Sequence, residues 1–151
     1  MSLVRAICKH ITRTPGGIDG LTFDPTGTDG NVFTHTMPSG PNLAVGVYAE
    51  PGAPQRTNAP TDLPSFRVQV RGDANDFYGA ETLAAAVIAD LTCLDGVWLD
   101  QDGDDEVWLI GCTAALSTPT PLGRDANQRF EFVTYFDARI HQPTTHRPAG
   151  V

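Results

Sequence analysis

Cysteine, lysine and long apolar runs are scarce in this sequence of 151 residues. Its three cysteines, Cys8, Cys93 and Cys112, include no C-x-x-C pair, so free and mostly buried thiols in a reducing compartment are expected rather than a disulfide framework or a zinc knuckle. No apolar run approaches the roughly 18 residues of a membrane span, and the N-terminus, interrupted by Arg5 and Lys9, lacks the apolar segment of a signal peptide. We therefore expect a soluble protein that is made in a cytoplasm and has no membrane contact.

Positive charge is also scarce. Lysine and arginine together number 10 against 18 aspartates and glutamates, which gives a formal net charge of −8. This balance argues against a protein that reads a DNA groove and against docking on anionic lipid, because both need a cationic face. The hydrophobic fraction of 40% is enough for a core, and the length predicts one domain. The 15 glycines and 12 prolines predict long loops.

Motifs that carry catalytic chemistry are absent from the sequence. No serine lies in G-x-S-x-G, no histidine lies in H-E-x-x-H, and no glycine-rich phosphate loop occurs, so we expect no enzyme activity, no cofactor and no metal. The acidic run 100–106 lacks calcium-loop spacing, since its sixth position is Asp105 instead of glycine and its twelfth is Gly111 instead of glutamate. The run therefore predicts a solvated acidic turn, with an adventitious cation site as the alternative.

Hydrophobic periodicity predicts two helices and several strands. Residues 2–13 form an amphipathic helix, and residues 80–91 carry one apolar stripe at helical spacing, with Asp76 or Asn75 as the N-cap. Cys93 and Cys112 lie in apolar stretches that predict core positions. Alternation of apolar and polar residues predicts strands over 43–48, 66–71, 97–99, 106–110 and 129–140, the third and fourth of them joined as a hairpin that turns at Asp102-Gly103.

Segments rich in proline and glycine separate these elements and predict long loops over residues 14–42, 51–64 and 117–128. The first loop has room for short strands at 22–23 and 31–34. We expect one domain over residues 1–140, followed by a mobile tail over residues 141–151. The predicted fold class is α+β, an antiparallel or mixed β-sheet with two helices packed on one face and long loops.

Charge is distributed unevenly along the chain. Residues 73–106 hold ten acidic residues and no lysine or arginine, whereas arginines precede and follow that stretch. Such asymmetry fits either a solvated face or charge-complementary, head-to-tail packing of identical subunits. In the second case we expect exposed arginines whose charge reversal leaves the fold intact. The interface candidates are Arg67, Arg71, Arg124, Asp125 and Arg129, and the acidic candidates for a lumen or an interface are Asp100, Asp102, Asp104, Asp105 and Glu106.

Three segments carry a resemblance to a known family. They are Met37-Pro-Ser-Gly-Pro-Asn42, Ser65-Phe-Arg-Val-Gln-Val-Arg-Gly72 before a helix that begins near Tyr78, and Pro121-Leu-Gly-Arg-Asp-Ala-Asn-Gln-Arg-Phe-Glu-Phe132. In their order and spacing they resemble the tail terminator (minor capsid, or neck) proteins of long-tailed bacteriophages. The resemblance covers about residues 37–140, and its motifs are structural rather than catalytic.

The resemblance implies a small subunit of a hexameric ring in the virion neck at the top of the tail, assembled in the host cytoplasm. Such a ring caps the tail tube, ends its elongation and joins the tail to the head connector, with no cofactor and no reaction. The implied partners are further copies of the chain, the major tail tube protein and the head–tail connector or head-closure protein, while DNA passes through the lumen without specific binding. Two alternatives stay open: a head-closure or other head–tail adaptor, and a small cytosolic enzyme that uses the acidic turn and a metal.

Overall fold

The computed structural model describes residues 2–54 and 59–143, which contain two helices and eight strands. Neither helix in these ranges has the length and apolar character that crossing a membrane requires. The predicted α+β class with a mixed sheet is confirmed. In chain order the elements are α1 Leu3–Ile11, β1 Val32–Thr34, β2 Ala44–Glu50, β3 Thr61–Asp62, β4 Ser65–Ala74, α2 Phe77–Thr92, β5 Asp95–Leu99, β6 Val107–Ala114, β7 Thr120–Arg124 and β8 Arg129–His141.

The strands form one mixed sheet in the order β1-β2-β4-β8-β6-β5, with β3 and β7 paired to further stretches of β8. β1 and β2 run parallel, and the other paired strands run antiparallel. The longest strand, β8, has 13 residues and joins four neighbours: β3, β4, β6 and β7. The long alternating strand predicted over 129–140 is thus confirmed, and its length allows several short strands to share one partner.

Helix α2 packs on the sheet through the apolar stripe that its sequence predicts. Asp76 is the N-cap, and its carboxylate accepts a hydrogen bond from the Gly79 N–H at 2.9 Å. β4 approaches the helix at Gly72, where a Cβ atom would lie 2.6 Å from the Cβ of Ala80, so a residue with a side chain would force the two elements apart. The predicted stripe also includes Ile88, which is only partly buried. Its buried members are Ala80, Leu83, Ala84, Val87 and Leu91.

Helix α1 closes a curled sheet. It contacts β1 and β2 at one end of the strand order, β5 at the other end, and α2 as well. One short helix reaches both ends because the sheet twists and curls around the two helices. The Ser2 side chain caps α1 by accepting from the Arg5 N–H at 3.3 Å. The buried face of α1 consists of Val4, Ala6, Ile7, Cys8 and Ile11.

The structure places short strands inside all three predicted loops. The strand predicted at 31–34 is β1, and the 51–64 loop contains β3. The 117–128 loop contains β7, which pairs with β8 although its proline and glycine favour a loop. Proline is tolerated there because β7 lies at an edge of the sheet.

The structure places two residues, Cys93 and His141, differently from the sequence prediction. Cys93 is exposed at the C-cap of α2 instead of buried in the core, whereas Cys8 and Cys112 are buried. His141, expected in the tail, is the last residue of β8 and pairs with Thr61 of β3. Most of the predicted mobile tail, residues 144–151, lies outside the described residues.

Replacing Val87, which is 1% exposed, with aspartate should abolish soluble folded protein. Burying an unpaired carboxylate costs several kcal/mol, a large part of the roughly 5–15 kcal/mol that stabilises a domain. Ala85→Asp, at an exposed position of the same helix, is the matched control and should unfold within a few degrees of the wild type. Circular dichroism during heating measures both, and wild-type melting of Val87→Asp would show that the stripe is not core.

Candidate interaction surface

The backbone of residues 38–42 is held by an arginine from the sheet. Arg71 on β4 donates from Nη2 to the carbonyl oxygen of Pro38 at 2.7 Å and also to that of Pro41. Its Nε donates to the carbonyl oxygen of Asn42 at 3.2 Å. Because proline has no N–H, this segment cannot form a regular strand ladder, and its carbonyl oxygens need other donors. The guanidinium fork supplies them.

A second arginine binds the same segment from β8. Arg129 donates from Nη1 to the carbonyl oxygen of Ser39 at 2.9 Å. Its Nε and Nη2 each lie 2.8 Å from Oδ2 of Asp125, four residues earlier in the chain. We call Arg71, Arg129, Asp125 and the backbone of residues 38–42 the arginine clamp.

In the arginine clamp the two guanidinium groups repel each other, and the carboxylates of Asp125 and Glu131 counter that effect at Arg71. Burial lowers the pKa of the Arg71 guanidinium, and the charge of Arg129 lowers it further, while Asp125 acts in the opposite direction. The backbone N–H of Arg129 and its guanidinium hold the pKa of Asp125 below the ordinary value against the effect of burial. A buried guanidinium that loses its acceptors is costly, so the clamp fixes residues 38–42 to the sheet.

The arginine clamp corrects the expectation that the candidate arginines are exposed. Arg71 and Arg129 are only 3% and 2% exposed, because the 38–42 segment covers them. Charge reversal at Arg129 is therefore expected to damage the fold. The clamp also draws one part from each of the three segments that carry the family resemblance. An interface role for Arg71, Asp125 and Arg129 stays a prediction, and the contacts described here lie within their own chain.

The other two interface candidates lie apart from the arginine clamp. The Arg67 guanidinium is 4.4 Å from the centre of the Tyr48 ring, and its Nη1 is 3.1 Å from Oε1 of Glu50. Arg124, the last residue of β7, is exposed, and its guanidinium is 5.5 Å from the centre of the Phe130 ring. No carboxylate in the described part of the chain forms an ion pair with Arg124. The interface role of both arginines stays a prediction.

The acidic loop over residues 100–106, between β5 and β6, is bound to α1. The Nζ of Lys9 lies 2.6 Å from Oδ2 of Asp100 and 3.1 Å from Oδ2 of Asp105. The Nε of Arg5 lies 3.1 Å from the same Asp105 oxygen. Asp105 is only 3% exposed, so the prediction of a solvated turn is wrong at this residue.

The ion pair between Lys9 and Asp100 shifts the pKa of both groups. Burial raises the pKa of Asp100, but hydrogen bonds from Lys9 and from the Asp105 backbone N–H outweigh it and leave that pKa below the ordinary value. The hydrogen bond to Asp100 in turn raises the pKa of Lys9. A lowered aspartate pKa stabilises the fold above the unfolded value and loses this effect as the pH falls through the folded value. The contact between α1 and the loop should therefore weaken in acid.

The remaining acidic candidates, Asp102, Asp104 and Glu106, are exposed. Of the five acidic residues in 100–106, only these three are exposed to solvent, although the sequence predicts a solvated turn for all of them. Sequence reasoning missed the attachment to α1, although Arg5 and Lys9 stand one helical turn apart and could have indicated it.

The described residues give no metal centre. Within 2–54 and 59–143, no three His, Cys, Asp or Glu side chains are grouped so that they could hold a metal ion. Burial raises the pKa of the Cys8 and Cys112 thiols to about 12, so neither forms a thiolate near neutral pH. Since the thiolate is the reactive form, neither cysteine is suited to nucleophilic chemistry.

Large hydrophobic side chains are exposed at several places that sequence reasoning missed. Exposed apolar groups close together indicate contact with another protein. Leu116, Leu122 and Tyr135 lie on the β7 side of β8, where the Ala115 N–H donates to the Tyr135 carbonyl oxygen at 2.8 Å. The exposed fractions in the described chain are 78% for Tyr78, 59% for Leu116, 52% for Leu122, 48% for Tyr135 and 47% for Trp98.

A family model described as bacteriophage tail terminator protein matches residues 17–142. The chain belongs to this family. The match includes the three segments that meet in the arginine clamp, so the resemblance found in the sequence is confirmed. As a tail terminator, the chain is a structural component of a phage virion.

One solved structure with a chain similar to this tail terminator is described as "Virion of native gene transfer agent (GTA) particle". The two chains are 24% identical with a TM-score of 0.49, and the alignment covers 72% of this chain and 77% of the other. A search of curated proteins finds no match.

Arg129→Ala should lower the free energy of unfolding by roughly 2–4 kcal/mol, because the Asp125 carboxylate and the Ser39 carbonyl oxygen lose the guanidinium that donates to them. Arg124→Ala, on the same hairpin, is the matched control and should change it by less than about 1 kcal/mol. Urea unfolding followed by tryptophan fluorescence measures both values. Equal destabilisation by the two variants would contradict the structural role of the arginine clamp.

Asp105→Asn should destabilise the protein by roughly 1–3 kcal/mol, because asparagine keeps the shape of the side chain but removes the charge that Arg5 and Lys9 share. Asp104→Asn, one residue earlier and exposed, should be nearly neutral. Thermal unfolding at neutral pH compares the pair. If Asp104→Asn were the more damaging change, the attachment of the acidic loop to α1 would be refuted.

Proposed function

We propose that this tail terminator forms a hexameric ring in the virion neck, where it caps the tail tube, ends its elongation and joins the tail to the head. Its proposed partners are further copies of the chain, the major tail tube protein and the head–tail connector or head-closure protein. The ring assembles in the host cytoplasm and acts as a structural part that transforms no substrate and needs no cofactor.

The family match over residues 17–142 is the observation that carries this proposal. Two features of the structure support it. The arginine clamp holds the exposed Ser39 and Gly40 in a fixed position, and a segment that is already ordered loses less conformational entropy on binding. The exposed side chains along β7 supply apolar area for contact with another protein.

The charge of the chain supports passage of DNA without binding. Each subunit brings a formal net charge of −8. We propose that Asp102, Asp104 and Glu106, which remain exposed, line the lumen of the ring. An acidic lining offers the DNA phosphates no cations, so no counterions are released and DNA gains no affinity for the wall.

Deleting the gene from the phage genome tests the proposed role. Loss of a tail terminator should give tails of uncontrolled length, because tube subunits continue to add when no cap stops them. Negative-stain images of lysates give the length distribution, and expression of the wild-type chain in trans should restore a single length. Tails of normal length that fail to join heads would contradict termination and indicate a head-closure or other adaptor role instead.

The ring itself is tested by native mass measurement of the purified chain over a range of concentrations. Six copies of the 16.1 kDa subunit are expected in the assembled species. Val87→Asp serves as a negative control because it should not fold. If the chain stays monomeric in solution and is absent from the neck in labelled virions, the proposed ring is refuted.

A further inference from the structure

Four exposed side chains lie on β7, just before it or on the strand that pairs with it, and we call these residues, Leu116, Leu122, Arg124 and Tyr135, the β7 edge. All five residues of β7 are exposed. The β7 edge combines apolar side chains with a cation, Arg124, that has no ion-pair partner in the described chain. Such a surface suits an apolar site that has an acidic rim.

The β7 edge is poorly suited to adding a strand from another chain. Pro121 has no N–H to donate, and the pairing with β8 shifts register between Pro121 and Gly123. A ladder with an incoming strand would be interrupted at this point. Side-chain packing is therefore the mode of contact that the edge favours.

A matching site lies beside α2. A shallow hollow of about 480 Å³, here called the α2 hollow, has Leu43, Leu83 and Ala86 among its apolar lining and the exposed Tyr78 at its side. Asp19 also lines it, and the exposed Glu81 precedes the lining residue Thr82 on α2 without lining the hollow itself. Neither carboxylate forms an ion pair within the described residues. The chain contains no lysine or arginine from residue 73 to residue 123, so α2 supplies no cation for these acids.

We infer that the β7 edge of one copy docks into the α2 hollow of a second copy, with Leu122 packed on Leu83 and Arg124 facing Glu81. The inference rests on the proposed ring. The occupant is a second copy because this chain itself carries both halves of a complementary pair: apolar side chains beside a cation, and an apolar hollow beside acids, with none of these charges in an ion pair within the described residues. Since the two surfaces differ, the contact is head-to-tail, and a series of such contacts closes into a ring when the rotation between neighbouring copies allows it.

Disulfide cross-linking of the assembled full chain tests the pairing. Cys93 is exposed and is replaced in a Cys93→Ser background, while Cys8 and Cys112 are buried. Leu122→Cys combined with Thr82→Cys should give, on mild oxidation, a ladder of covalent multimers on a denaturing gel. Leu122→Cys combined with Gln101→Cys, an exposed position on the acidic loop, is the matched control and should give none.

Charge exchange tests the same contact without cysteines. Arg124→Glu should weaken assembly by roughly tenfold or more, because it places two carboxylates face to face. Glu81→Arg alone should weaken it as well, and the two changes together should restore most of the affinity. Circular dichroism should show that all three variants keep the wild-type fold, since both positions are exposed.

The wild-type oligomer, measured by native mass in the same series, separates failure of this inference from failure of the proposed function. Rings that give no ladder through position 82, or an equal ladder through position 101, would overturn the pairing and leave the ring proposal standing. A link within a single copy, or a double charge variant no better than the single ones, would overturn it too. A wild-type chain that stays monomeric in solution and is absent from the neck in labelled virions would overturn both.

Discussion

Two buried charges set the conditions under which this chain folds. Arg71 and Arg129 lie in the interior, and a guanidinium there needs acceptors in the right directions, since an unpaired buried charge costs several kcal/mol. The carbonyl oxygens of residues 38–42 and the carboxylate of Asp125 provide them. A segment that has prolines and no ladder of its own thereby gains a defined position, and the turn before β8 is fixed by the same contacts. The need of these two buried guanidinium groups for acceptors thus brings together three segments that are distant in sequence.

The acidic loop divides its charge between the interior and the surface. Asp100 and Asp105 bind the cations of α1 and so fasten the helix that closes the curled sheet. The exposed acids of the same loop stay free for solvent or for the lumen that we propose. The net charge of the sequence alone does not reveal this division, because Arg5 and Lys9 neutralise Asp100 and Asp105, and the formal net charge of −8 is carried by the other residues.

Periodicity made the central elements predictable. The stripe of α2 and the alternation of β4 and β8 are local patterns, and the structure buries them as predicted. The segments missed were those whose structure depends on distant partners: β7 forms a strand because β8 pairs with it. Likewise, alternation predicts an outward Arg71, and nothing near it in sequence indicates that residues 38–42 cover it. The buried Asp105 has the same origin, since its partners lie at the other end of the chain.

The interrupted strand pairing at β7 affects whether subunits that are not yet assembled aggregate in solution. Backbone pairing between copies would be cooperative and hard to reverse, and it would allow newly made chains to aggregate into extended sheets. At β7, Pro121 and the register shift beside it interrupt such pairing and favour contacts between side chains. In the ring that we propose, a pool of unassembled subunits could then accumulate in solution, and a wrongly placed copy could dissociate before further copies bind beside it.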